Sequence, residues 1–272
     1  MPPREQRALM YEKKFSIAAE TRSTTATKGR RHTHKCFEIV IVHQGAIILS
    51  LDTSTQVLTA GDAIIFHGSL LHGGRTLGSA YTRTAFHLNI NKADVIDWCK
   101  LIPADAKSFV YAYLPQTCYP AFFENLTKLS EQPAKGDISQ QDTDLVANVL
   151  STLQVVERPK QAALHPVVRE SIKLMTQMNT ATQISDLARR LYISQSHLFA
   201  LFHNNLMCSP YQLWMKIRIE QACNKILKEQ IPVNDLVKMF GFTTRRSFER
   251  AFRRYTGTTV SQYRELGWCS SW

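Results

Sequence analysis

"DLVKMFGFTTRRSFERAFRRYTGTTVSQYR", residues 235–264, carries six arginines, five of them set among phenylalanines at helical spacing. Phe248 and Phe252 are four apart and therefore share one face of a helix, which leaves the arginines to the other faces. A basic run by itself is most often a solvated helix face. This one has a twin. About 50 residues upstream, "ISDLARRLYISQSHLFALFHNNLMCSPYQL" starts at Ile184 and follows the same plan. Asp186 aligns with Asp235 and Leu187 with Leu236; after a one-residue difference at the turn, Leu198 aligns with Phe248 and Phe202 with Phe252. Each copy reads as a short helix, a turn and a second, amphipathic helix, which is a helix-turn-helix.

Between the copies, "PYQLWMKIRIEQACNKILKEQ" begins at Pro210 and stops before Pro232. Proline fits the first turn of a helix and ends the element before it. Leu213, Ile217, Ala222, Ile226 and Leu227 supply an apolar side. A helix of about 20 residues is a rod of roughly 30 Å, close to the roughly 34 Å that separate successive major grooves on one face of B-DNA. The spacing predicts two reading helices held in consecutive grooves, so that a single chain reads a non-palindromic site.

Charge agrees. The chain has 272 residues and a formal net charge of +11. From Pro166 onward there are 15 Lys/Arg against 7 Asp/Glu, and before it 18 against 15. The C-terminal part is the one suited to a polyanion. Six cysteines, at 36, 99, 118, 208, 223 and 269, form no CxxC pair and no zinc-finger spacing; they read as reduced thiols of a cytoplasmic protein. The N-terminal stretch lacks the apolar segment of a signal peptide, and no apolar run reaches the roughly 20 residues of a membrane helix.

The N-terminal half is of another kind. "FEIVIVHQG", "AIILSLD", "TQVLTAGDAIIFHGSLLHGG" and "AYTRTAFHLNIN" are short β-rich runs divided by turn residues, the pattern of a small barrel or sandwich. His32 and His34, two apart, point to one face of an extended strand, a face that Cys36 and Glu38 continue. His72 follows the "GDAIIF" strand and can return beside them. Three imidazoles and a carboxylate are a possible ligand set for Zn, Fe, Mn or Ni, or a polar pocket for an organic effector. Tyr81, Arg83 and His87 share one strand face, lining either the same cavity or the opposite surface. Two amphipathic helices follow. Phe122, Leu126 and Leu129 form one stripe; Leu145, Val149, Leu153 and Val156 form another, with Val146 and Leu150 beside it. "ERPKQAALHP", 157–166, reads as a linker.

The second helix-turn-helix resembles the AraC/XylS family of bacterial transcription regulators. The residues that carry the likeness are Gly241, Phe242, Ser247, Phe248, Arg250, Phe252, Gly257, Thr259, Tyr263 and Arg264. Val237 and Val260 depart from that pattern, as do Met207 and Ala200 in the first unit. His32, His34, Glu38 and Gly45 match the first motif of the cupins, without its leading glycine, since position 26 is Ala. The second cupin motif keeps Gly61 and His72 but has His67, Ser69 and Thr76 in place of its turn residues and closing Asn.

The resemblance implies a two-domain α+β protein. Residues 1–156 form a cupin-like effector-binding and dimerisation β-barrel with flanking helices, 157–166 the linker, and 167–272 an all-α domain with two helix-turn-helix units. It implies a regulator that binds double-stranded DNA, an activator that contacts RNA polymerase, and a homodimer. The effector is a small molecule, with a sugar or other carbon source as the first candidate, in a pocket of His32, His34, Glu38, His72, Arg83 and His87. No cofactor is expected; His32, His34, Glu38 and His72 are the ligand set should a metal bind. On the DNA side, Arg245, Arg246 and Arg250 lie where guanine O6 and N7 are read, Glu249 where cytosine N4 is, and Arg253 and Arg254 where phosphates are held. Gln195, Ser196, His197 and Ala200 are their counterparts in the first unit. Two alternatives stand beside this: a metal-dependent cupin enzyme with an appended DNA-binding domain, and a DNA-binding protein with no effector whose barrel only dimerises.

Overall fold

The computed structural model describes residues 17–24, 31–52, 54–77, 81–88, 101, 103, 107–131, 140–162, 164–177, 183–229 and 231–265. Position 26, Cys99 and Cys269 lie outside them. Among the described residues the N-terminal half has nine strands: β1 (Ile17–Thr24), β2 (Phe37–Gln44), β3 (Ala46–Leu51), β4 (Ser54–Thr59), β5 (Asp62–His67), β6 (His72–Thr76), β7 (Tyr81–Leu88), β8 (Phe109–Tyr113) and β9 (Gln154–Val156). One sheet runs β1-β7-β2-β5-β8-β9 and the other β4-β3-β6. Side chains alternate across each strand, and here both faces are apolar. Val40, Val42, Ile47, Leu49, Ile64 and Phe66 fill the interior. Ile39, Ile41, Ala63, Ile65 and Phe86 face outward and are covered by two helices, α1 (Tyr119–Glu131) and α2 (Gln140–Ser151).

Two local readings need correction. His32 forms only an isolated bridge with His72, and residues 33–36 are not strand, so the HxH pair precedes β2 rather than riding on it. Val156 is not on a helical stripe. α2 ends at Ser151, and Val156 pairs with Tyr111 as β9. The β-branched pair Val155–Val156 fits an extended chain better than a helix, and the edge of β8 offers it backbone partners. Leu153, just past the helix, still packs with Val149 and Leu150.

The C-terminal half is helical: α3 (Pro166–Gln177), α4 (Ile184–Arg190), α5 (Gln195–Leu206), α6 (Pro210–Glu229), α7 (Val233–Met239), α8 (Arg245–Thr256) and α9 (Val260–Glu265). α4–α5 and α7–α8 are the two helix-turn-helix units. Ser194 and Thr244 cap α5 and α8 by accepting from His197 N and Ser247 N. The linker does not swing free. Asp62, buried at the start of β5, accepts from Gln161 N at 3.0 Å, and Gln161 Nε2 donates to Val57 O at 2.9 Å. Pro166 already opens α3, one residue inside the linker expected from sequence.

The two units differ at matching turns. Gly241 (φ 60°) and Gly257 (φ 78°) take the left-handed conformation in the second; Tyr192 (φ 55°) and Met207 (φ 51°) take it in the first. Both side chains of the first unit are exposed, so no burial offsets the steric cost of that conformation. Tyr192→Gly and Met207→Gly are each expected to raise stability by up to about 1 kcal/mol, measured as the urea midpoint of the full chain; Gly241→Ala and Gly257→Ala are expected to lower it by a similar amount.

Candidate functional site

Alternation along β2 sends Glu38 into the barrel, where it is 5% exposed. Around it the structure gathers every residue expected to line the pocket. Glu38 Oε2 lies 3.0 Å from His34 Nε2, 3.0 Å from His72 Nε2 and 3.7 Å from His87 Nε2. Arg83 Nη1 is 3.7 Å from Oε1. The His32 ring stands 4.3 Å from that of His72. This settles the open question on β7: Arg83 and His87 line the same cavity as the histidines, and Tyr81 packs in the barrel interior.

Burial pushes the Glu38 carboxyl up, but the imidazoles of His72, His34 and His87 gathered around it outweigh that and hold the group well below the usual carboxylate range. The Cys36 thiol is pushed the other way, to about 12, by burial and by Glu38. It therefore stays protonated and donates to His34 Nδ1, 3.0 Å away. That leaves His34 Nε2 as the N–H that donates to Glu38. Leu70 O accepts from His72 Nδ1 at 2.7 Å and fixes the His72 ring. His72 Nε2 sits at hydrogen-bond distance from Glu38 but poorly aligned, so that buried nitrogen has no good partner.

His32, His34, Glu38 and His72 each offer one ligand atom, all within 4.8 Å of one another. Two metal bonds of about 2.1 Å span at most about 4.2 Å, so the widest pair has to close before a metal is held. Where they close, these four side chains are the ones that would bind it. Gly68 sets the wall on this side. A Cβ there would fall on the His34 ring, while its backbone is pinned by His34 N to Gly68 O and Gly68 N to Cys36 O, both 2.8 Å.

The outer faces of the same strands meet the helical domain. Arg31, next to His32, donates from Nη2 to Glu220 Oε2 at 2.9 Å and from Nη1 to Asn224 Oδ1. Ser50 Oγ donates to the same Glu220 oxygen at 3.0 Å. Arg75 on β6 pairs through Nε with Glu220 Oε1 and donates from Nη1 to Tyr255 O at 2.6 Å. Lys216 Nζ donates to Thr76 O and Leu77 O. Burial raises the Glu220 carboxyl, yet Arg75 and Arg31 prevail and hold it ionised below the usual range. Ala46, Ile48, Val57 and Leu77 of the barrel share one apolar cluster with Val168, Ile172, Trp214 and Ile217.

The expected DNA-facing residues sit on the outer sides of α5 and α8. Gln195, Ser196, His197 and Ala200 are exposed, as are Arg245, Arg246, Arg250, Arg253 and Arg254. Phe248 and Phe252 are fully buried beneath them. Glu249 accepts from Arg245 Nε at 2.8 Å, so the two side chains are held together on the face of α8. The first unit shows polar and small side chains where the second shows guanidinium groups, so the two surfaces differ in charge.

Sequence reasoning missed Gly68 and the whole of the Arg31–Ser50–Arg75–Glu220–Asn224 junction. One signal was available: Glu220 lies on the spacer helix among Ile217, Ile219, Ala222 and Cys223, where an acid needs a buried partner. Glu220→Ala strands the buried Arg31 and the half-buried Arg75 and is expected to cost about 3–5 kcal/mol, whereas replacing Arg31, Arg75 and Glu220 together by apolar residues of similar volume is expected to cost less. Equilibrium unfolding of the full chain compares the two.

Residues 15–197 match the family described as AraC-like ligand binding domain, and residues 187–266 match a helix-turn-helix domain family. The raffinose operon transcriptional regulatory protein RafR of Pediococcus pentosaceus is 33% identical over 92 residues, 34% of this chain; the match spans only 33% of that protein's own length. The RCS-specific HTH-type transcriptional activator RclR of Escherichia coli (strain K12) is 29% identical over 241 residues, 84% of this chain and 78% of RclR. Among solved structures, the C-terminal domain of AraT from Geobacillus stearothermophilus is 25% identical, covering 40% of this chain and 92% of that one, with a TM-score of 0.37. With a ligand-binding barrel and a double helix-turn-helix both in place, this chain belongs to the AraC family of DNA-binding transcription regulators.

Proposed function

We propose that the protein is an activator whose barrel binds a small polar effector, a sugar or other carbon source first among candidates, and passes that binding to the two DNA readers. The observation that carries this reading is the shared position of the two sites. His32 and His72 face the pocket, bridged through their backbones at 2.9 and 3.0 Å, while Arg31 and Arg75 on the same two segments grip the spacer helix. A ligand that pulls on the imidazoles shifts the segments that hold Glu220. The pocket offers both donors and a buried acceptor, which suits hydroxyl groups, and the name of the raffinose regulator points the same way. Activation follows the description of RclR, and contact with RNA polymerase is the means proposed for it. The helices α1 and α2 on the outer face of the barrel are the proposed homodimer surface.

In this reading the chain is not an enzyme and needs no resident metal. A panel of mono- and disaccharides tests it by thermal melting. A ligand at about 100 times its dissociation constant is expected to add roughly 2.7 kcal/mol to the wild type and nothing to His32→Ala or Arg83→Ala. If no sugar moves the melting of the wild type, the carbohydrate proposal is wrong. Metal analysis of protein purified without a histidine tag checks the other branch: stoichiometric iron or manganese, lost in His32→Ala, would favour the metalloenzyme alternative.

On DNA, Arg246→Ala is expected to cost about 1–3 kcal/mol and to relax preference at one base position. Selection from a random duplex pool followed by competition binding measures both.

A further inference from the structure

Beside the reading face of α8 lies a cleft of about 520 Å³ that the DNA-reading residues alone do not explain. One wall is α6, through Tyr211 and Arg218; the other is the turn before α8 and the flank of α8 itself, through Thr243, Ser247, Arg250 and Arg254. None of the described residues lining it is acidic. The Arg218 guanidinium lies 4.4 Å above the Phe242 ring, and its Nε and Nη2 are buried without a hydrogen-bond partner. A stranded cationic donor is costly, and burial alone lowers its pKa. Three guanidinium groups, two phenols and two hydroxyls thus line the cleft with no counter-charge among them.

Position selects the anion. Tyr211 and Arg218 belong to the first half of α6, the half that leaves the first helix-turn-helix unit. The cleft therefore lies between the spacer helix and α8. Two helices seated in successive major grooves have one minor groove between them, and a sugar–phosphate strand bounding it must cross the spacer helix. We propose that this cleft seats one backbone phosphate of bound DNA, with Arg218 as a phosphate-binding residue that belongs to neither helix-turn-helix. The inference rests on α8 being the DNA-reading helix. It divides the arginines of α8: Arg246 and Arg253 are not part of the cleft lining, while Arg250 and Arg254 are and share the phosphate with Arg218. Such a contact carries no base information; it fixes the axial position of the second reader relative to the first.

The test uses the full chain, the site it selects from a random duplex pool, and a random 30-base-pair duplex, each titrated at several salt concentrations. Arg218→Gln is expected to weaken both duplexes by a similar factor and to reduce the slope of log K against log salt by about 0.9, the release of one phosphate's counterion. Arg218→Lys, which keeps the charge, is expected to restore most of that slope. A scan with single methylphosphonate substitutions locates the phosphate: the wild type is expected to lose affinity at one position between the two half-sites where Arg218→Gln does not. An unchanged slope in Arg218→Gln, or a scan that never separates variant from wild type, overturns the proposal. So does a free-anion site, seen as stabilisation of the wild type but not the variant by inorganic phosphate in melts without DNA, with the DNA slope unaltered. Arg246→Ala run in parallel separates the two failures. Loss of affinity there with none at Arg218 removes only the phosphate seat; no loss at either removes the assignment of α8.

Discussion

One carboxylate joins the two halves of this molecule. Glu220 is 4% exposed, and its two oxygens are met by Arg31, Ser50 and Arg75, all from the barrel. Removing three charges from water is expensive, and the mutual attraction compensates only when the geometry satisfies every oxygen. The site is therefore selective about position. A shift of the spacer helix by one turn would bury Glu220 without arginines and Arg31 without an acceptor. Apolar packing between Ile48, Val57, Trp214 and Ile217 supplies affinity across the same seam, but apolar contact tolerates sliding. The ion cluster is what sets the register.

That register matters because the spacer helix is where both DNA readers are mounted. α6 contributes Leu213, Trp214 and Ile217 to the core of the first unit and Met215, Ile219, Ala222, Cys223 and Ile226 to the core of the second. A sequence search for one apolar stripe finds Leu213, Ile217, Ala222, Ile226 and Leu227, of which Leu227 is only partly buried, and misses that the helix is buried on two sides and carries a polar seam as well. Arg75 extends the hold to the reading helix itself through the Tyr255 carbonyl. The barrel thus touches the spacer and the end of the second recognition helix through one side chain.

The pocket and the junction are linked by strand geometry. On β6, His72 points into the barrel and Arg75, three residues on, points out. On β3, Ile47, Leu49 and Leu51 fill the interior, while Ile48 and Ser50 meet the helices. A period of two makes each strand a lever with one face on each site. Nothing longer than a strand separates the histidine pocket from the junction with the spacer helix.

Much of this was legible in the residues. The duplicated pattern of Asp186–Phe202 and Asp235–Phe252, with prolines at 210 and 232, determines two helix-turn-helix units on one spacer, because helical periodicity and proline stops are local properties. His32, His34, Glu38 and His72 announced a polar cluster through spacing and residue type alone. Only the tertiary structure decided the rest. That Arg83 and His87 face the same cavity depends on which face of β7 closes the barrel, which alternation along a single strand cannot tell. That Val156 leaves its apparent helix depends on the free edge of β8. That Arg31, Arg75 and Glu220 form one buried site depends on bringing together positions some 145 to 190 residues apart, a long-range pairing whose loop-closure cost and charge complementarity leave no trace in local sequence.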